Sequence, residues 1–234
     1  MRIFFAPLAA GELVVRGDEH HYLAHVRRAR PGDAVELVDG AGRRARATIV
    51  RIADDETLVR ADAPELVPDA PPRVRVLLPL IKGERMDDCI EKLVEVGADE
   101  LVVWPAARSV VKLDGARRDG RVEHYNAIAA AAARQCGRAR VPSVAFAELA
   151  AALAALPSGG VRLVLDPATD RTVLPLADAA DVTIASGPEG GLAPAELDAL
   201  IAAGFLSTGL GPRILRADTA PIVAVALVRR ATAS

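Results

Sequence analysis

Aromatic residues are scarce in this chain: four Phe, two Tyr and one Trp among 234 residues. Alanine is abundant instead, so aliphatic side chains must fill most of the core. The two cysteines, Cys89 and Cys136, stand far apart. They fit neither a zinc spacing nor a disulfide framework, and they agree with a reducing compartment. No excess of one charge is present. The formal net charge is −2, so any reading as a nucleic-acid binder must rest on local clusters. Long uncharged apolar runs are missing as well. The N-terminus has no hydrophobic region long enough for a signal peptide, and charge returns at Glu12. Thr219–Val228 is apolar but too short to cross a bilayer. The expectation is a cytoplasmic protein without membrane contact.

Apolar residues nonetheless make up 51% of the chain, which marks a folded globular protein with room for one large domain or two smaller ones. Four prolines between Pro64 and Pro72 predict a linker, and hence domains over residues 1–70 and 73–234. The first part reads as short strands, Arg2–Phe5, Glu12–Val15, Ala34–Val38, Arg44–Ile52 and Thr57–Arg60. One helix is expected over Asp18–Arg27, capped by Asp18. Such spacing suggests a small β-barrel. After the linker, strands alternate with helices. The expected strands are Val74–Leu80, Leu101–Trp104, Val161–Leu165, Val182–Ala185 and Phe205–Leu210. The expected helices are Arg85–Val96, Asp119–Cys136, Phe146–Leu156, Pro194–Ala203 and Thr219–Arg230. This rhythm predicts an α/β fold around a parallel sheet.

Ligands of parallel α/β sheets bind at the carboxyl ends of strands. Three unusual loops fall there. Leu165, Asp166, Pro167 and Ala168 leave one strand. Ser186, Gly187, Pro188, Glu189, Gly190 and Gly191 leave the next; such glycines allow close ligand approach, although the loop could also be a tight turn before the helix at Pro194. It lacks the Gly-Lys-Ser/Thr of a Walker loop and is no dinucleotide fingerprint. The third loop runs from Gly209 to Pro221, with Arg213 and Arg216 flanking Ile214 and Leu215. Asp218 or Thr219 could cap the last helix, whose first turn would suit Pro221.

The Gly-Pro-Glu-Gly-Gly of residues 187–191 and the stretch Leu210–Pro221 together resemble the signature of the RsmE-type methyltransferases, which belong to the SPOUT class. The likeness extends over nearly the full chain. It includes Arg2–Phe5, then His21, Leu23, Val26, Arg28, Gly32 and Asp33, then Lys82–Asp87, and Ala131–Pro142. It departs at Ala107-Arg108-Ser109, where the family has Glu-Arg-Ser, and at Ala217-Asp218, where it has Thr-Glu.

The resemblance implies a PUA-like RNA-binding barrel followed by a SPOUT domain with a C-terminal trefoil knot, acting as a homodimer. It implies S-adenosyl-L-methionine as cofactor, held by Leu165, Asp166, Pro167, Ser186, Gly187, Pro188, Glu189, Gly191, Leu210, Gly211, Arg213, Ile214, Leu215 and Ala220, with Ile214 and Leu215 packing on the base. The implied reaction is methylation of uridine N3 in small-subunit (16S) ribosomal RNA. That nitrogen must lose its proton, so a cation near O2 or O4 would help. Arg216 or Arg213 is the candidate. Glu189 could orient substrate or accept the proton; it could equally cap the following helix.

Between Arg108 and Arg140 lie eight basic and three acidic residues, Lys112 among the basic ones, and smaller clusters sit at Arg27–Arg30 and Arg43–Arg46. Arg2, Arg28, Arg108, Arg134, Arg138 and Arg140 are the expected RNA contacts, by phosphate neutralisation. His20, His21 and His25 share the first helix without further ligands, and no metal is expected. The alternatives are a SPOUT enzyme acting on a transfer RNA base or on ribose, and a non-catalytic RNA-binding assembly factor. A nucleotide switch is disfavoured by the missing Walker lysine.

Overall fold

The computed structural model of the chain describes residues 1–68, 70–111, 115–169, 176 and 179–232. The chain forms two compact units, Met1–Asp69 with Ala133–Val141, and Ala70–Ala132 with Pro142–Ser234.

The first unit holds a mixed six-stranded sheet. Its strands are β1 (Arg2–Phe4), β2 (Gly11–Arg16), β3 (Ala34–Val38), β4 (Arg43–Ile52), β5 (Glu56–Ala61) and the short β6 (Glu65–Leu66). They run in the order β1-β3-β4-β5-β2, with β6 on β4. Strand β4 shows why they pair as they do. Ala45, Ala47 and Ile49 are buried while Arg46, Thr48 and Arg51 are exposed, so one face meets the core of Ile3, Leu23, Leu37 and Val59. The proline-rich stretch is therefore not linker throughout, since Glu65 and Leu66 pair with Arg44 and Arg43.

The expected first helix is corrected. The α-helical part, α1, covers only Gly17–His21, and Asp18 lies inside it, after the N-cap Arg16. From Tyr22 to Val26 the chain widens into a π-helical turn, with Arg27 N bonded to the Tyr22 carbonyl at 2.8 Å. Arg28 then takes a left-handed φ of 50°. Buried His20 sits between Thr57 Oγ1 at 2.9 Å and the Asp54 carbonyl at 3.2 Å, and so joins α1 to the sheet.

The second unit contains six parallel strands: β7 (Arg73–Pro79), β8 (Glu100–Trp104), β9 (Ser143–Phe146), β10 (Val161–Leu165), β11 (Asp181–Ala185) and β12 (Leu206–Thr208). Their order is β12-β10-β11-β7-β8-β9. Every residue from Val76 to Leu80 in the central β7 region is buried, which explains its unbroken apolar run. The helices are α2 (Glu84–Val96), α3 (Gly115–Cys136, whose residues from Ala133 on belong to the first unit), α4 (Leu149–Ala154), α5 (Pro194–Ala202) and α6 (Thr219–Thr232). Helix α2 buries Met86, Cys89, Ile90, Leu93 and Val94, a stripe at helical spacing. It ends at Gly97, where φ is 112°. Arg229 of α6 locks that end by donating to the carbonyls of Gly97 and Pro72 and to Asp99, at 2.6, 2.7 and 2.5 Å.

The helix expected over Phe146–Leu156 is shortened to Leu149–Ala154, and Phe146 instead ends strand β9. The alanine-rich composition overstated the helix. Two distant partners fix the strand: β9 pairs with β8 along Ser143–Phe146, and on its other side the Asn126 amide accepts from Val144 N at 3.0 Å and donates to its carbonyl at 2.7 Å. Among the described residues, no helix is long and apolar enough to cross a membrane.

Candidate functional site

At the carboxyl ends of β10, β11 and β12 the second unit opens a cavity of about 620 Å³. That volume lies in the range of small-molecule sites. Its walls are the three loops that stand out in the sequence. Asp166 is the first turn's organiser: its Oδ1 accepts from Ala168 N at 2.9 Å, and its own N donates to the Thr208 carbonyl at 3.1 Å. The glycine-rich loop folds back through a bond from Gly191 N to the Pro188 carbonyl, at 2.8 Å, with a φ of 71° at Gly191 that favours glycine. The third loop ends where Thr219 N and Ala220 N reach the Arg216 carbonyl, at 3.0 and 2.9 Å, starting α6.

All the residues expected to hold a cofactor line this cavity: Leu165, Asp166, Pro167, Ser186, Gly187, Pro188, Glu189, Gly191, Leu210, Gly211, Arg213, Ile214, Leu215 and Ala220. The catalytic candidates Arg213, Arg216 and Glu189 line it too. Ile214 is 84% exposed, so its side chain stands at the rim. The alternative role for Glu189 as a helix cap falls to another carboxylate, because Glu196 Oε2 accepts from Ala193 N at α5.

Several wall residues escape sequence reasoning: Arg85, Leu192, Leu197, Thr208 and Ala217. Leu197 falls inside the expected helix Pro194–Ala203, and Leu192 in the turn before it. Arg85 reads as one charge of an amphipathic helix. The signal that could have found it is its place in the first turn of α2, directly after the carboxyl end of β7. Its Nε lies 4.0 Å from Asp218 Oδ2. Below it, buried Cys89 donates its thiol to the Asp218 carbonyl at 3.3 Å. Burial, reinforced by Asp218 and Asp88, pushes that thiol up to about 12.

The cavity fits a polar ligand with an apolar body. Ser186 is only 1% exposed, lines the cavity, and its hydroxyl has no hydrogen-bond partner among the described residues. A buried hydroxyl of this kind carries a desolvation cost that a ligand group would relieve. A methyl on Gly211 would meet no atom within 4 Å, so the backbone there lies open to a ligand. Arg213 and Arg216 form no ion pair among the described residues.

The expected RNA contacts fall in different settings. Arg28 is exposed. Arg2 is occupied by Glu36 and by the Gly137 carbonyl. Arg134 pairs with Glu19 at 3.1 Å and lies over the Phe4 ring at 5.3 Å. Burial raises the Glu19 carboxyl, and Arg134 opposes that rise. Arg138 and Arg140 are half-buried, and Arg140 bridges to Gly40 and Ala41. Arg108 donates to the Gly190 and Leu192 carbonyls, each at 3.2 Å. Lys112 lies outside the described residues.

Comparison with known proteins adds three findings. An RNA methyltransferase domain family matches residues 68–229, and an RNA methyltransferase PUA domain family matches residues 15–60. The ribosomal RNA small subunit methyltransferase E of Mycobacterium tuberculosis is 40% identical over 222 residues, covering 92% of this chain and 85% of the relative. The Bacillus subtilis protein of the same name is 30% identical, covering 92% and 88%. Among solved structures, the Neisseria gonorrhoeae ribosomal RNA small subunit methyltransferase E bound to S-adenosyl methionine superposes with a TM-score of 0.85 at 25% identity, covering 98% of this chain and 97% of the other.

Proposed function

The chain belongs to the ribosomal RNA small subunit methyltransferase E family, and from that premise we propose that it methylates N3 of a uridine in small-subunit (16S) ribosomal RNA, with S-adenosyl-L-methionine as methyl donor. The observation that carries the reading is the cavity, where an open glycine backbone meets a buried Ser186 hydroxyl and two arginines that have no partner among the described residues. We assign residues 1–70 to the PUA-like RNA-binding domain and 73–234 to the methyltransferase domain.

The cofactor supplies an electrophilic methyl group on a sulfonium. The chain's own residues do the rest. Backbone groups of Leu165–Pro167, Ser186–Glu189 with Gly191, and Leu210–Leu215 would hold and orient it, and Ser186 would offer its hydroxyl. Holding donor and nucleophile at attack distance supplies much of the acceleration. As N3 loses its proton, Arg216 or Arg213 stabilises the charge that spreads to O2 and O4. Glu189, exposed on the cavity wall, orients the base or accepts that proton. A target base within a duplex must be unstacked to enter.

Strand order supports the trefoil knot. The chain passes from β11 back beyond β10 to lay down β12 on its far side, and the loop after β12 shares one cavity wall with those of β10 and β11. Family membership supports a cytoplasmic homodimer whose partner is the small-subunit RNA or particle.

The test is to incubate the purified protein with radiolabelled cofactor and small-subunit particles from a strain lacking the enzyme, then identify the labelled nucleoside. Label in N3-methyluridine is the expected result. Label in another nucleoside, or only with transfer RNA, would redirect the reading to a different RNA. Absence of cofactor binding would favour a non-catalytic assembly factor.

A further inference from the structure

We infer that Arg108 and Glu196 are positioning residues for the cofactor, acting through the back of the glycine-rich loop. This rests on the assignment of the cavity to S-adenosylmethionine. Gly187, Pro188, Glu189 and Gly191 face the cavity, whereas Gly190 does not line it. Gly190 turns instead toward the segment that follows β8. There the Arg108 guanidinium donates from one nitrogen to both the Gly190 and Leu192 carbonyls, at 3.2 Å each. A methyl on Gly190 would lie 3.1 Å from Arg108 Cβ, so the two backbones pack with little space to spare. Glu196 closes the other side. Its Oε1 accepts from Ala107 N at 2.6 Å, and its Oε2 accepts from Ala193 N at 2.8 Å.

One arginine and one glutamate therefore tie residues 107–108 to both ends of the stretch 190–193. Charge-assisted bonds to carbonyls and amides are the stronger kind. They fix the carbonyls of Gly190 and Leu192 away from the cavity, and so fix which backbone groups of the loop's front remain for a ligand. The same contacts occupy a side chain that the sequence assigns to RNA. Arg108 is not among the cavity-lining residues, so its effect on the cofactor must pass through the loop.

The test measures affinity for S-adenosylmethionine and for RNA separately, with kcat and both KM values, in wild type, Arg108→Ala, Arg108→Lys and Glu196→Gln. Arg108 is exposed, and its alanine variant should fold. Arg108→Ala should raise both Kd and KM for the cofactor by roughly ten-fold, the loss expected for a charged hydrogen-bond donor. RNA affinity and its salt dependence should stay within about two-fold of wild type. Arg108→Lys should recover part of the cofactor affinity, because an ammonium can still serve one carbonyl. Glu196→Gln, which keeps one acceptor oxygen, should show the same cofactor-selective shift at smaller size. Weakened RNA binding with a shallower salt slope and unchanged cofactor affinity would overturn the inference in favour of direct RNA contact. Unchanged affinities for both would overturn it as well. A wild-type protein that binds no S-adenosylmethionine would instead refute the cofactor reading itself.

Discussion

On the sheet of the first unit, Arg16 and Arg51 both reach Glu56, Arg60 reaches Glu12, and Arg44 reaches Glu65 and Glu36. Around the cavity of the second unit, Arg213 and Arg216 reach no carboxylate among the described residues. Apart from the half-buried Arg44, both sets of side chains are exposed, so burial does not separate them. What separates them is whether a negative partner is already present. A paired surface arginine keeps two strands in register and contributes about 0–1 kcal/mol. An unpaired one at a cavity mouth keeps its charge for whatever enters. A count of basic residues is blind to this difference.

The strongest way to break that contrast is Arg216→Ala. With the charge held for the reaction, kcat should fall by roughly 100- to 1,000-fold. Cofactor affinity, measured by calorimetry, should change little. Turnover near wild type would erase the distinction.

A second test sets acid against base. Hydrogen bonds from Arg51 and Arg16 hold the Glu56 carboxyl below its ordinary value. Its contribution is present above the unfolded pKa and fades as pH falls through the folded one. Cys89 is the mirror case, raised from 9.0 to about 12 by burial. Its contribution is complete below pH 9 and is lost as pH climbs toward 12, by up to about 1.4 kcal/mol per pH unit. Urea unfolding between pH 8 and pH 11 should therefore show a steeper alkaline loss in wild type than in Cys89→Ala. Equal slopes would mean that the wall beneath Asp218 admits solvent.

Gly211→Ala sharpens the picture of the mouth. The side chain would have room, but φ is 108°, a region that suits glycine. The strain should cost about 1–2 kcal/mol and weaken the cofactor about ten-fold. The smallest effect belongs to the sheet. Arg60→Ala should lower stability by less than about 1 kcal/mol and leave turnover alone. A larger loss in chemical denaturation would show that the cross-strand pairs matter more than their exposure suggests.

The cofactor loops were legible because glycine, proline and arginine interrupt aliphatic runs there, and interruptions at strand ends are local signals. Arg85 was legible only through the order of elements, as the start of a helix that follows the strand end of β7, and not through its immediate neighbours. Strand β9 was hidden for a similar reason: its partners are β8, about 40 residues earlier, and Asn126, 18 residues before Val144. The π-helical turn at Tyr22–Val26 has no period of its own in the sequence, and so reads as continued α-helix. Arg2 and Arg134 read as RNA contacts because a sequence shows charge but not pairing; Glu36 and Glu19 already engage them.

Apart from Arg85, the walls of the cavity all come from the stretch between Leu165 and Ala220, late in the chain. Their shape depends on contacts such as Asp166 with Thr208 and Cys89 with Asp218, which join residues far apart in order of synthesis. Contacts of that span make folding slow and place the site among its final products. A chain still emerging from the ribosome can complete its first sheet long before it can hold the cofactor. Once it does, the bound cofactor shifts the folding equilibrium toward the finished molecule by mass action. Cofactor occupancy thus reports that the stretch from Leu165 to Ala220 has been made and has folded.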